Sequence, residues 1–183
     1  MTTTVWQLDP SHCTVEFAVR HLMISTVRGR FGDVKGTVTT EGDDFRTAQV
    51  DVTIGVASID TREPQRDDHL RSADFFDVAK YPTITFKSRR VEGPEKGPFR
   101  VVGDLTMHGV TREVVLDVTL EGAGKDPWGN YRAGFSAKTT LNRKDFGLAW
   151  NQLLEAGGVV VGDEVKVSID AELVKQVATA AAA

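Results

Sequence analysis

Through most of this chain an apolar residue stands at every second position. Val15, Phe17 and Val19 alternate with Glu16, Ala18 and Arg20; Val50, Val52, Ile54 and Val56 alternate with Asp51, Thr53 and Gly55. Val165, Val167, Ile169, Ala171 and Leu173 alternate with Lys166, Ser168, Asp170 and Glu172. Successive side chains of a strand point to opposite faces, so each segment has one dry and one wet face. Antiparallel sheets carry this pattern, whereas buried parallel strands read as unbroken apolar runs. The pattern predicts strands at 5–8, 14–21, 27–41, 47–56, 83–91, 99–107, 113–120, 130–141 and 164–175. Turns are expected at 22–26, at Gly42-Asp43-Asp44 and over the Gly- and Pro-rich stretch 92–98. Gly29, Gly32 and Gly36 fall inside the 27–41 strand and read as bends of a curling sheet.

The period changes once. Leu70, Ala73, Phe75 and Phe76 lie at helical spacing within 63–79, with Asp67 and Asp68 near the start, where acidic groups complement the helix dipole. Tyr81-Pro82 ends that segment. Residues 151–162 read as a loop with a short helical turn, and 177–183 as an alanine tail without a partner face. The expected architecture is all-β: about eight main antiparallel strands, as a barrel or sandwich, with one inserted helix. A single domain spans 1–175, and 176–183 forms a disordered tail.

The length of 183 residues suits one such domain and suffices to bury a core without disulfides. The net charge of −4, evenly spread, argues against a nucleic-acid partner. Cys13 is the sole cysteine, which fits a reducing compartment. The first ten residues have neither a basic nor an apolar leader region, and no apolar run reaches the ~18 residues of a membrane span. These features predict a soluble, cytoplasmic protein with no transmembrane segment.

Catalytic signals are weak. His12, His21, His69 and His108 show no metal-ligand spacing, although separate strands can still assemble such a site. A Gly-x-Ser-x-Gly elbow is missing. Cys13 beside His12 faces the other side of an extended chain and reads as a small filler. No carboxylate pair stands on an apolar segment that would raise its pKa for acid catalysis. No cofactor is expected. The aromatics say more: Phe17, Phe31, Phe86, Phe99 and Phe135 share the apolar phase of separate strands, and Leu148 and Trp150 follow the block Asn142-Arg-Lys-Asp-Phe-Gly147. Such residues either fill a solid core or line a hollow one, since barrels of ~8 strands do both.

Several motifs in order carry a resemblance. They are Trp6-Gln-Leu-Asp-Pro-Ser-His12 with Val15-Glu-Phe-Ala-Val-Arg-His21, Val27-Arg-Gly-Arg-Phe31, and Asp67-Asp-His-Leu-Arg-Ser-Ala-Asp-Phe-Phe-Asp77 with Tyr81-Pro82. Gly103-Asp-Leu-Thr-Met-His-Gly-Val-Thr111, Asn142 to Gly147 and Val161-Gly-Asp-Glu-Val165 complete the set. Together they resemble the YceI-like family of polyisoprenoid-binding proteins over nearly the whole chain. The resemblance implies a lipocalin-like extended barrel holding a long-chain isoprenoid lipid, either a polyprenyl diphosphate or an isoprenoid quinone. It also implies dimers in some members and no agreed catalytic residues. The expected ligand-binding residues are Phe17, Val19, Phe31, Ile54, Phe76, Phe86, Leu105, Phe135, Leu148 and Trp150, with Arg20, Arg28, Arg62 and Arg143 as candidates for the head group. Cys13 stands where the family pattern has serine, so a hydroxyl hydrogen bond is not available there. The competing reading is an enzyme with a histidine or metal site inside the same barrel.

Overall fold

The alternating segments form eleven strands and one helix in a computed structural model that describes residues 2–152 and 160–177. In chain order these are β1 (Thr3–Leu8), β2 (Thr14–His21), β3 (Ser25–Phe31), β4 (Val34–Glu41), β5 (Asp44–Gly55), β6 (Ile59–Asp60), α1 (Pro64–Arg71), β7 (Thr83–Glu92), β8 (Phe99–Met107), β9 (Val110–Lys125), β10 (Tyr131–Asn142) and β11 (Val161–Lys175). Eight strands, in the order β1-β4-β5-β7-β8-β9-β10-β11, close into an antiparallel barrel through the β1–β11 pairing. Closure removes the exposed edges that an open sheet would present.

The long strand β11 serves two partners. Leu173 to Lys175 pair with β1, and Val161 to Asp170 pair with β2. β1 and β2 thus run along one side of β11, separated by a 3-10 turn over Pro10–His12 that Asp9 caps. At the β2 end the wall continues outward through β3 to the two-residue β6, beside which α1 packs. The barrel is therefore closed around one end and extended by a β2–β3–β6 flap at the other.

Three expectations need correction. The single strand at 27–41 is two strands in different places: β3 pairs with β2, β4 with β1 and β5, and the chain turns at Gly32-Asp33. The Asp33 N–H donates to Ser58 Oγ and its carbonyl accepts from the Gly55 N–H, which fixes the corner. The helix expected at 63–79 stops after eight residues. Glu63 caps its N-terminus and Pro64 occupies the first turn, a position that needs no N–H. Ser72 ends it by turning extended and donating its Oγ to the His69 carbonyl at 2.6 Å. The residues that follow form tight turns, including Phe76 N–H to Leu70 O and Tyr81 N–H to Asp77 O, which reproduce helical spacing without a helix. Finally, β9 begins at Val110 and continues to Lys125, beyond the expected 113–120, because β8 pairs with Val110–Val118 and β10 with Asp117–Lys125. Much of the expected loop at 151–162, and most of the expected tail, lie outside the described residues.

Two apolar clusters occupy the two ends of the interior. One, at the flap end, centres on Val15, Phe31, Val56, Ile59, Ile84 and Phe146; the other, at the closed end, centres on Trp6, Val38, Ala133 and Leu173.

Candidate functional site

Between the two clusters the barrel is hollow. The inward faces of its strands enclose a cavity of about 630 Å³, within the ~300–1,000 Å³ usual for ligand pockets. Its wall is overwhelmingly aliphatic and aromatic, because the inward phase of each strand is the apolar one. All ten residues named from the sequence lie on this wall: Phe17 and Val19 on β2, Phe31 on β3, Ile54 on β5, Phe86 on β7, Leu105 on β8 and Phe135 on β10, with Phe76, Leu148 and Trp150 supplied by loops. The rings of Phe17 and Phe86 each lie against a glycine of the neighbouring strand. A Cβ at Gly29 would collide with the tip of Phe17, and one at Gly103 with the tip of Phe86. Glycine at these two positions lets the rings lie flat along the wall and leaves the lumen open.

The closed end carries a plug that the sequence reading missed. Trp6 is fully buried, its ring 5.1 Å from Phe45 and 6.1 Å from Tyr131, while Phe45 meets Phe135 edge-on at 4.9 Å. The indole N–H donates to Thr40 Oγ1 at 3.1 Å, so its polar atom is satisfied inside the barrel.

Polar side chains reach the cavity mainly at the other end. Arg20 and His21 come from the end of β2, Gln65, Arg66 and His69 from α1, and Arg143 from the turn after β10. Arg66 donates to Thr61 Oγ1 and to the Thr61 carbonyl, and buried Asp67 accepts from the Thr61 N–H and hydroxyl. His69 Nε2 donates to Asp74 Oδ2 at 2.8 Å, and the ring stands edge-on to Trp150, 4.7 Å away. These α1 residues were not among the expected contacts. The packing of α1 beside β6 brings them to the cavity. Of the four arginines suggested for a head group, Arg20 and Arg143 line the cavity. Arg143 is spent on the protein itself, donating to the carbonyls of Gly162, Leu148, Trp150 and Val161. Arg28 and Arg62 are not on the wall. Cys13 does line it; its buried thiol donates weakly to the Glu172 carbonyl, and burial holds its pKa above the ordinary thiol value.

One polar cluster stands on the barrel wall away from the mouth. Arg132 donates to Asp126 at 2.7 Å and to Asp9 at 2.8 Å, and lies 3.8 Å from Glu172. His12 approaches Asp9 at 3.1 Å and Glu172 at 3.2 Å. Asp9, His12 and Glu172 are therefore close enough to share an ion, although no spacing in the sequence announced it. The Arg132 guanidinium already occupies Asp9, which makes this group an electrostatic latch joining the β1–β2 corner, β10, β11 and the β9–β10 hairpin. Arg132, followed by Ser11 and His12, holds the Asp9 carboxyl well below its ordinary 3.8; Arg132 likewise lowers Asp126 to about 2. A depressed carboxylate pKa stabilises the fold above the unfolded value and loses that contribution as pH falls through the folded value. Arg132→Gln is accordingly expected to be less stable than the parent at pH 6, with the gap closing as pH drops from about 4 toward 2. Urea midpoints at a series of pH values check this. A gap that stays constant across the acid range would mean that the latch contributes no pH-dependent stability.

No helix among the described residues is long and apolar enough to cross a membrane. The YceI-like domain profile matches residues 6–173. A UPF0312 protein of Staphylococcus aureus is 38% identical over 170 residues, covering 92% of this chain and 96% of its own. One from Vibrio cholerae is 42% identical over 138 residues, covering 75% of this chain and 73% of its own. The crystal structure of the Campylobacter jejuni YceI protein superposes with a TM-score of 0.74 at 30% identity, covering 86% of this chain and 90% of that one. Burkholderia cenocepacia BcnA shares the fold, with a TM-score of 0.76 at 23% identity, covering 90% of this chain and 98% of its own. With the barrel, the inserted helix and the ordered motifs in place, the chain belongs to the YceI-like family.

Proposed function

We propose that this protein binds a long-chain isoprenoid lipid inside the barrel and acts as its carrier, store or sequestering protein. The observation that carries this reading is the hollow itself: an apolar lumen of about 630 Å³, walled at one end by Phe45 and Phe135 with Trp6 packed behind them, and edged with polar side chains at the other. Each methylene moved from water into such a lumen yields about 0.8 kcal/mol, offset in part by ordering the flexible chain. A tail would enter at the flap end and point toward the plug, leaving a diphosphate or quinone head among Arg20, Arg66 and His69. A solved structure from Saccharophagus degradans, described as a polyisoprenoid binding domain, has the same fold with a TM-score of 0.67 at 16% identity, covering 93% of this chain and 98% of its own; its description supports the choice of ligand class. Burial raises the pKa of the Cys13 thiol, which disfavours the nucleophilic thiolate there.

The test is to narrow the lumen. Phe17→Trp, Phe86→Trp and Phe135→Trp each add volume on the wall. In an open channel they weaken binding of a radiolabelled polyprenyl diphosphate or isoprenoid quinone while lowering stability by less than about 1 kcal/mol. In a solidly packed barrel the same changes are overpacking and cost about 1–3 kcal/mol. Destabilisation of all three with unchanged lipid binding would refute the carrier reading.

A further inference from the structure

The β2–β3 hairpin is built against its own turn chemistry. Leu22 and Met23 at its tip have φ of 52° and 60°, and the Ile24 N–H donates back to the His21 carbonyl at 3.1 Å. His21 pairs with Ser25, so the loop has three residues, and its first two are left-handed, a conformation that glycine and asparagine normally fill. Bulky side chains rarely adopt this conformation, and such outliers persist where function holds them. The turn projects its apolar groups outward: Met23 is 53% exposed and Ile24 77%.

The hairpin's own strands are basic, while Asp163 and Glu164 of β11 stand across from Arg20. Between Glu16 and Asp33 the chain has no carboxylate, but carries Arg20, Arg28 and Arg30, plus His21, in a protein of net charge −4. Arg30 is partly compensated by Asp60 at 3.7 Å. Arg28 is exposed, and Arg20 braces the turn by donating to the Met23 carbonyl and to Thr26 Oγ1. The tip also stands at the cavity mouth. The Leu22 N–H donates to the Val160 carbonyl at 2.8 Å, and Arg20, His21 and Val160 themselves line the cavity.

We propose that the Leu22–Ile24 tip docks the protein on an anionic lipid bilayer, with Met23 and Ile24 inserted below the headgroups and Arg20 and Arg28 at the phosphate level. Apolar insertion and cationic attraction together give reversible interfacial binding, and neither alone suffices. Docking there brings the mouth to the membrane surface, so a tail can pass between bilayer and barrel without crossing bulk water. This inference rests on the lipid cargo proposed above.

The experiment is co-sedimentation of the full chain with vesicles of phosphatidylglycerol and phosphatidylcholine, compared with vesicles of phosphatidylcholine alone. The parent is expected to bind the anionic vesicles and to be released by salt. Leu22→Asn/Met23→Gly with Ile24→Ser supplies the residues the turn prefers. It is expected to melt no lower than the parent, yet to lose vesicle affinity about tenfold or more. Arg28→Glu should weaken binding to anionic vesicles several-fold through charge alone. Failure of the parent to bind anionic vesicles, or undiminished binding by the turn variant, overturns the proposal. So does a parent dimer that the turn variant dissolves, which would make the tip a contact between copies. Titration of the same variants with the isoprenoid in detergent solution separates the two readings: intact titration without docking removes only this inference, and a parent that fails the titration removes the cargo.

Discussion

Trp6→Ala is expected to destabilise the protein by about 3–5 kcal/mol, a large part of the roughly 5–15 kcal/mol that holds a typical domain together. The indole is the largest fully buried side chain among the described residues. Its removal empties the centre of the closed-end cluster, where Phe45, Val38, Ala133 and Leu173 meet from different strands. Those neighbours sit on hydrogen-bonded strands of a closed barrel, so the walls cannot collapse into the space. Trp6→Phe is expected to cost less, because most of the ring volume is kept. Thr40 Oγ1 then loses the indole donor but still donates to the Gly42 carbonyl at 2.6 Å. Urea unfolding followed by circular dichroism gives both values. A loss below about 1 kcal/mol for the alanine variant would show that Trp6 is not a structural plug.

Arg143→Ala should be nearly as damaging, at about 3 kcal/mol or more, by a different route. The guanidinium is 4% exposed and gathers carbonyls from two segments, Leu148 and Trp150 on one side and Val161 and Gly162 on the other. Asn151 gives Val161 a second donor, but the carbonyls of Gly162, Leu148 and Trp150 lose their recorded side-chain partner. Unmade hydrogen bonds of this kind cost about 1–3 kcal/mol each. Burial pulls the Arg143 pKa down, yet a guanidinium keeps its charge at every pH the protein will meet. Arg143→Lys should rescue little, since an ammonium is a point donor and cannot span the fork. The variant should also bind lipid more weakly, because Leu148 and Trp150 belong to the cavity wall. Equal stability of the lysine variant and the parent would contradict the fork argument.

Much of the barrel was legible because its strands are wet on one face. β8 was expected at 99–107 and occupies those residues, and every expected wall residue lies on the cavity. The break between β3 and β4 was also written in the chain but easily overlooked: the inward phase runs through odd positions to Phe31 and through even positions from Val34. That phase flip is the mark of a corner, and a count of alternating residues alone passes over it. The end of α1 was not legible, since Ser72 is a stop only in company with the turns that follow it. Nor was the role of Arg143, whose carbonyl partners on β11 come near only when β10 and β11 pair. Trp6 lies on a strand so short, with Val5 beside it, that alternation could not say which of the two faced inward.

The pairing of β1 with the far end of β11 has a consequence for synthesis. The first and last strands of the barrel are joined, with Trp6 opposite Lys175. A nascent chain emerging from the ribosome can form the β4-β5 and β7-β8-β9 hairpins early, but it cannot complete the ring until residue 175 is free. Pairings between such distant segments are slow to form. During that interval the whole apolar lining is open to its surroundings, so the empty barrel is most exposed to chaperones, and most able to take up a hydrophobic guest, before it has finished closing.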